Sequence, residues 1–272
     1  MLVKKFHYYN IIPYFFVLLF FSSCNGFSSC NIDSQNIGKI KIAVERDIYL
    51  RDTVAAPETD FSCELLETIC SLHQLPISIE YFEDINKAMM KLDRRYYNII
   101  VADIPITSTI NKNYQTTKPV YADYSVLIQN SKASGGNLVN THQCLANQTI
   151  TIPYIVPLIE RIKNLSSEIG DTIYINILNG ISEKEIVNKV SHGELQFTVA
   201  SKRHADKYTK IYPDIDASLP ISFNQFRSLI LHPRDTILRD SLDKWIDDFR
   251  KTDNYIFMAE KHKINYYYGE RD

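Results

Sequence analysis

Apolar positions along this chain switch between two periods, and the switching sets the expected fold class. Ile40-Lys41-Ile42-Ala43-Val44 alternates as a strand does, and Glu45-Arg46-Asp47 closes it with charge. Asp60 stands at the cap position of a helix predicted over 61–75, where Leu65, Leu66, Ile69, Leu72 and Leu75 recur at helical spacing before Pro76. Ile77-Ser78-Ile79-Glu80-Tyr81 reads as the next strand, and Asp84 opens a helix carrying Ile85, Ala88, Met89 and Leu92. The short apolar run 98–102 is of the kind a buried parallel strand needs. Strand and helix alternating with short loops imply right-handed crossovers and a parallel sheet.

The stretch 97–129 organises the rest of the chain. Its first strand ends in a polar turn at Asp103, Pro105 and Thr107, where open α/β sheets place their ligands. A binding loop is expected after Thr107, and then a single strand over 120–128 that leaves the first unit. After Gly135-Gly136 the same grammar restarts. Strands are predicted over 148–153, 172–178 and 195–200, with helices over 158–169, 182–193 and 202–212. Pro157 suits a helix start, Gly170 a helix end, and Ser182 with Glu185 a capping box. Two further strand segments are predicted at 221–223 and 226–231, followed by a long amphipathic helix capped by Asp235. The tail is expected to return to the first unit, so that one outgoing and one returning crossing form a hinge.

The N-terminus reads differently. Lys4 and Lys5 precede an apolar run over 11–21, and Ser22-Ser23-Cys24 follows, the layout of a secretory signal. About 20 apolar residues are needed to span a bilayer, and this run is shorter. Cys24 after two small residues resembles the lipobox of bacterial lipoproteins, although Phe21 stands where Leu is usual; an ordinary cleaved signal with free Cys24 is the other reading. The expected organisation is therefore a lipoprotein signal peptide at 1–23, a tether at 24–37, one lobe from 38–128 with 224–272, and a second lobe at 129–223. Removal of 1–23 takes two of the 30 basic residues and none of the 32 acidic ones, moving the net charge from −2 to −4. A mildly acidic exported chain gives no electrostatic case for nucleic acid.

Composition removes other classes. Eight glycines in 272 residues, none in a phosphate-cradling loop, disfavour a nucleotide-binding enzyme. There is no G-x-S-x-G, no H-E-x-x-H and no suggestive carboxylate pair, and His192, His204 and His232 read as isolated solvent-facing or core residues. Cys63 and Cys70, seven apart on a helix and so about 10 Å distant, are too far apart to pair with each other and are expected as buried thiols. His142-Gln143-Cys144 is too short a cluster for a metal site. The expectation is a non-enzyme without cofactor or metal.

Several of these segments resemble the type II periplasmic solute-binding proteins, family 3: Ile40–Val44, the helix from Phe61, Tyr97–Thr107 and Thr117–Tyr121. Residues 157–171, 193–200, 212–216 and 219–222 are similar to the N-terminal solute-binding-like module of membrane-bound lytic murein transglycosylase F, whose catalytic domain has no counterpart in this sequence. The resemblance implies a bilobed α/β fold, two Rossmann-like lobes joined by a two-strand hinge. It also implies a periplasmic, lipid-anchored monomer that binds a small-molecule solute or cell-wall fragment, with an ABC permease or peptidoglycan as possible partner.

Under that resemblance the cleft is lined by Asp47, Asp103, Thr107, Tyr121, Tyr154 and Ser201. Thr107 is expected to hydrogen-bond the ligand and the tyrosines to stack on it. For Asp103 the other reading is a cap on its own loop, for Asp47 a similar structural role, and for Ser201 a cap on the next helix. Three departures stand out. Ile110 occupies the place of the family's carboxylate-binding arginine, Ser201 that of its ammonium-binding acid, and Val156 that of a small hydroxyl residue. The expectation is a gap poor in fixed charge that does not hold a free amino acid. The alternative expectation is a non-catalytic interaction module acting on peptidoglycan or a protein.

Overall fold

A computed structural model describes residues 39–46, 60–132, 135 and 137–264. Asp47, Cys24, Cys30 and the signal and tether segments lie outside the described residues. In chain order the elements are β1 (Ile40–Glu45), α1 (Phe61–Leu72), β2 (Ile77–Phe82), α2 (Ile85–Asp93), β3 (Ile99–Val101), α3 (Ser108–Asn113), β4 (Gln115–Thr116), β5 (Tyr121–Asp123) and β6 (Ser125–Asn130). A 3-10 turn at His142–Leu145 leads to β7 (Thr149–Pro153), α4 (Val156–Ile169), β8 (Tyr174–Leu178), α5 (Glu183–Ser191), β9 (Phe197–Ser201), α6 (Lys202–Ile211) and β10 (Ile215–Asp216). The chain finishes with β11 (Gln225–Arg227), β12 (Ile230–Leu231), α7 (Thr236–Phe249) and α8 (Asp253–Lys261).

Two five-stranded sheets follow the same plan. The first runs β2-β1-β3-β12-β4 and the second β8-β7-β9-β6-β10. In each, the first three strands are parallel and the fourth runs against them. Between the sheets, β5 and β11 form a two-stranded antiparallel ribbon in which Asp123 faces Gln225 and Tyr121 faces Arg227. This ribbon carries the chain out of one lobe and back.

Strand alternation decides which core each residue joins. In β1, Ile40, Ile42 and Val44 pack with Phe61, Leu65 and Ile69 of α1 and with Leu242, Ile246 and Phe249 of α7. Ala43 points to the opposite face, against Leu92 of α2 and Ile100 of β3. The second sheet repeats the division, with Leu127, Ile150, Ile152 and Val199 against Leu158, Ile162 and Leu165 of α4. Val126, Ile128 and Ala200 pack on the other face against Val187 and Val190 of α5 and Ala205 and Tyr208 of α6.

Capping follows the sequence in most places. Asp60 accepts from the amide of Ser62, Asp84 from those of Asn86 and Lys87, and Ser182 with Glu185 closes a reciprocal capping box. Gly170 ends α4 at φ +71°, a conformation that favours glycine. Cys63, Cys70 and Cys144 are free, the first two buried.

Other expectations are corrected. The apolar run predicted as one strand over 120–128 is two strands in different sheets, broken at Tyr124, because β5 must pair with β11 before β6 turns into the second sheet. The expected lobe limit at 128 falls inside β6, all of which lies in that second sheet. The stretch after Thr107 is not an open loop but the short helix α3. Ile221 lies in a loop, its amide bonded to the Ser125 carbonyl, and forms no strand with Phe223. Asp235 makes no side-chain cap for α7; its carboxylate accepts from Arg95 Nη2 at 2.5 Å instead.

Candidate functional site

Sheet geometry brings the C-terminal ends of β1 and β3 to one side of the first lobe, facing the start of α6 in the second. Glu45 closes β1, Asp103 lies just past β3, and Ser201 joins β9 to α6. Arg203 and His204 sit in the first turn of α6, and Arg227 ends the returning strand β11. These residues, distant in sequence, meet around one carboxylate.

That carboxylate is Asp103. Its Oδ1 accepts from Arg227 Nε at 2.7 Å and from the Tyr121 hydroxyl at 3.0 Å. Its Oδ2 accepts from Ser201 Oγ at 2.5 Å and lies 3.6 Å from His204 Nε2. Its backbone amide donates to Glu45 Oε2 at 2.8 Å. Burial alone would raise the Asp103 pKa, but Arg227, His204, Arg203 and the Ser201 bond together hold it well below the usual carboxylate range. Asp103 is thus charged and fully engaged.

The cations are engaged as well. Burial would lower His204, yet Glu183, 2.9 Å from Nδ1, together with Asp103 and Glu45, holds its pKa up at about 10. Arg203 reaches Asp60 at 3.1 Å and lies 4.7 Å over the Tyr121 ring. Its backbone amide donates to Asp123. Several of these contacts cross the gap between lobes: Ser201 to Asp103, His204 to Asp103 and Arg203 to Asp60. Two more crossings flank them, Asn86 Nδ2 to the Tyr154 carbonyl at 3.0 Å and Thr109 Oγ1 to Glu160 at 2.9 Å.

The gap is therefore not poor in fixed charge, as the sequence reading expected, but rich in charges that satisfy one another. His204 is neither isolated nor solvent-facing. Tyr121 is buried with its ring covered by Arg203, so its face is closed to a stacking ligand. Ser201 performs both of its expected roles, bonding Asp103 and capping α6 through the His204 amide. Thr107 caps α3 and, with Ile110 and Val156, lines an apolar cavity of about 200 Å³. Tyr154 is exposed on the wall of a wider cavity of about 550 Å³, which also takes in Glu45, Glu183 and His204. Of the predicted residues, Asp103, Tyr121 and Ser201 come together, while Thr107 and Tyr154 line separate stretches of the gap.

Glu45, Glu183, Arg203, His204 and Arg227 were missed as site residues. The available signal was positional: Glu45 ends the first strand, and Arg203 and His204 follow directly on Ser201. Arg227 carried none, because its role depends on a pairing across the hinge. Among the described residues, no group of His, Cys, Asp or Glu is arranged to hold a metal ion, and no helix is long and apolar enough to cross a membrane.

Comparison with protein-family models and with curated proteins finds no match. Solved structures do match. An ancestral arginine-binding protein bound to arginine aligns with a TM-score of 0.70 at 13% identity, over 83% of this chain and 98% of that one. A structure described for glutathione import via GshT and the cystine importer TcyBC of Streptococcus mutans aligns with a TM-score of 0.70 at 12% identity, over 86% and 98%. The GluR0 ligand-binding core from Nostoc punctiforme in complex with L-glutamate gives 0.65 at 12%, over 82% and 98%. Together with the strand orders of the two sheets, these matches show that the chain has the bilobed type II periplasmic-binding-protein fold, two Rossmann-like lobes joined by a two-strand hinge.

Proposed function

We propose that this chain is a non-catalytic solute-binding protein of the cell envelope, exported and lipid-anchored through Cys24, that holds a small ligand between its lobes for uptake or sensing. Free amino acids are not its ligands. The observation that carries this reading is the pairing at the centre of the gap. Arg203, His204 and Arg227 each already hold an acid of the chain, Asp60, Glu183 and Asp103 respectively. A ligand carboxylate there meets no unpaired cation among the described residues, and a buried charge without a partner costs several kcal/mol. Ile110 and Val156 reinforce the point, since apolar groups line the wall where the resemblance expects polar ones. By analogy with fold neighbours that include the substrate-binding protein of an amino acid ABC transporter, an ABC permease is the expected downstream partner.

The same self-pairing also favours a second reading, an interaction module whose gap is filled by its own side chains and whose outer surface meets peptidoglycan or a protein. Thermal denaturation across a metabolite panel separates the two, because a ligand held by the folded gap raises the melting temperature by mass action. A rise with a solute that is not an amino acid supports solute binding. No rise with any solute, alongside retention on isolated peptidoglycan, supports the module.

A further inference from the structure

We propose that the ligand of this gap is an organic amine with an apolar body and no carboxylate, its ammonium seated at Glu45 and its body in the cavity beside Ile110. The inference rests on the reading of the gap as a ligand site and adds the chemical class of the ligand.

The apolar cavity supplies the first half. Ile85, Met89, Ile104 and Ile110 form its wall on the first lobe, and Ile155 and Val156 close it from the second. Its volume of about 200 Å³ exceeds the ~150 Å³ that holds a benzene ring in a buried apolar cavity. Ile85, Asn86, Ile104 and Ile155 are shared with the wider cavity of about 550 Å³, so one molecule can extend from the apolar end into the polar one.

The wider cavity is acidic, but its acids are not equivalent. Asp103 is held by Arg227, Tyr121 and Ser201, and Glu183 by His204 and Tyr208. Asp84 caps α2, Glu83 lies 3.5 Å from Arg46, and Glu185 completes the capping box. Glu45 differs. It accepts one hydrogen bond, from the Asp103 amide, and has no cation within ion-pair distance among the described residues. Burial pushes its carboxyl up to about 7, with His204 opposing and Asp103 and Glu183 adding to the rise. A ligand ammonium supplies the ion-pair partner that no described residue gives Glu45, and at the apolar end the cavity offers a body, not a second charge, its place.

Isothermal titration with 2-phenylethylamine, phenylalanine and 3-phenylpropionate tests the class, because the three share a ring and differ only in their charged ends. The amine is expected to bind measurably and the other two not to. Glu45→Gln should weaken the amine roughly tenfold to a hundredfold, the loss of one charge-assisted contact. Glu45→Asp, which keeps the charge, should retain more affinity than Glu45→Gln, with both variants checked for an intact ligand-free melting transition. Binding of phenylalanine or 3-phenylpropionate as tight as that of the amine overturns the ligand class and leaves solute binding standing. Unchanged amine affinity in Glu45→Gln overturns the seat. Absence of binding by any of the three and by hexylamine overturns the class, and joined to a silent metabolite panel it overturns the solute-binding reading too.

Discussion

Arg227 and Asp103 stand 124 residues apart, yet Arg227 Nε donates to Asp103 Oδ1 at 2.7 Å with only 2% and 6% of their side chains exposed. The bond ties the hinge strand β11 to the residue just past β3 at the floor of the gap. Removing one partner strands a buried charge. Arg227→Met and Asp103→Asn are each expected to cost about 3–5 kcal/mol in chemical denaturation. The double substitution should cost less than the two together, because neither charge is then left alone. Additive losses would show that the pair does not act as a unit.

The pH dependence of stability should carry the mark of two raised groups. Glu45 titrates at about 7 in the folded chain against an ordinary 4.5, so the fold keeps that proton where the unfolded chain has lost it. Stability from this group is full below pH 4.5 and declines as pH rises through 7. His204, raised from 6.5 to about 10, contributes stability that is full below 6.5 and lost through pH 10. The groups that face Glu45 are His204 on α6, Asp103 after β3 and Glu183 on α5. Melting curves of Glu45→Gln and the parent chain should therefore diverge from pH 4.5 to 7, the variant gaining relative stability as pH rises. Parallel curves would place the Glu45 carboxyl in water.

Arg203 and Asp60 join the lobes at 3.1 Å, and both side chains are partly exposed. Asp60→Asn keeps a good helix cap while removing the charge. Its expected cost in stability is only about 1 kcal/mol, whereas the lobes should separate more readily. Small-angle scattering should report a larger radius of gyration for Asp60→Asn than for the parent chain. An unchanged radius would mean that the remaining crossings suffice to hold the lobes.

Thiol labelling of the native chain followed by peptide mapping should modify Cys144 and spare Cys63 and Cys70. The latter two are buried in α1, and burial pushes their thiols up to about 12 and about 11. Rapid labelling of Cys63 would indicate that α1 does not pack on β1.

Much of the scaffold was legible because it is local. Ile40 to Val44, the caps at Asp60, Asp84 and Ser182, and the stop at Gly170 are encoded within a few residues of where they act. The break at Tyr124 was not legible, because 120–128 is uniformly β-forming and only pairing with β11 on one side and β9 on the other divides it. The site was legible in part. Asp103 and Ser201 could be placed at strand ends, but their meeting spans 98 residues and the Asp103 contacts with Glu45 and Arg227 span 58 and 124. Periodicity carries no information at those separations. The substitutions at Ile110 and Val156 suggested missing charge, and the charges that fill the gap come from other positions.

On the proposed reading a free amino acid is not held in this gap, because Arg203, His204 and Arg227 are already paired with Asp60, Glu183 and Asp103. Thermal denaturation of the purified chain with each of the common L-amino acids at millimolar concentration tests this most directly. An unmoved melting temperature is expected with every one of them. A rise with any single amino acid, saturating in the micromolar range, would contradict it.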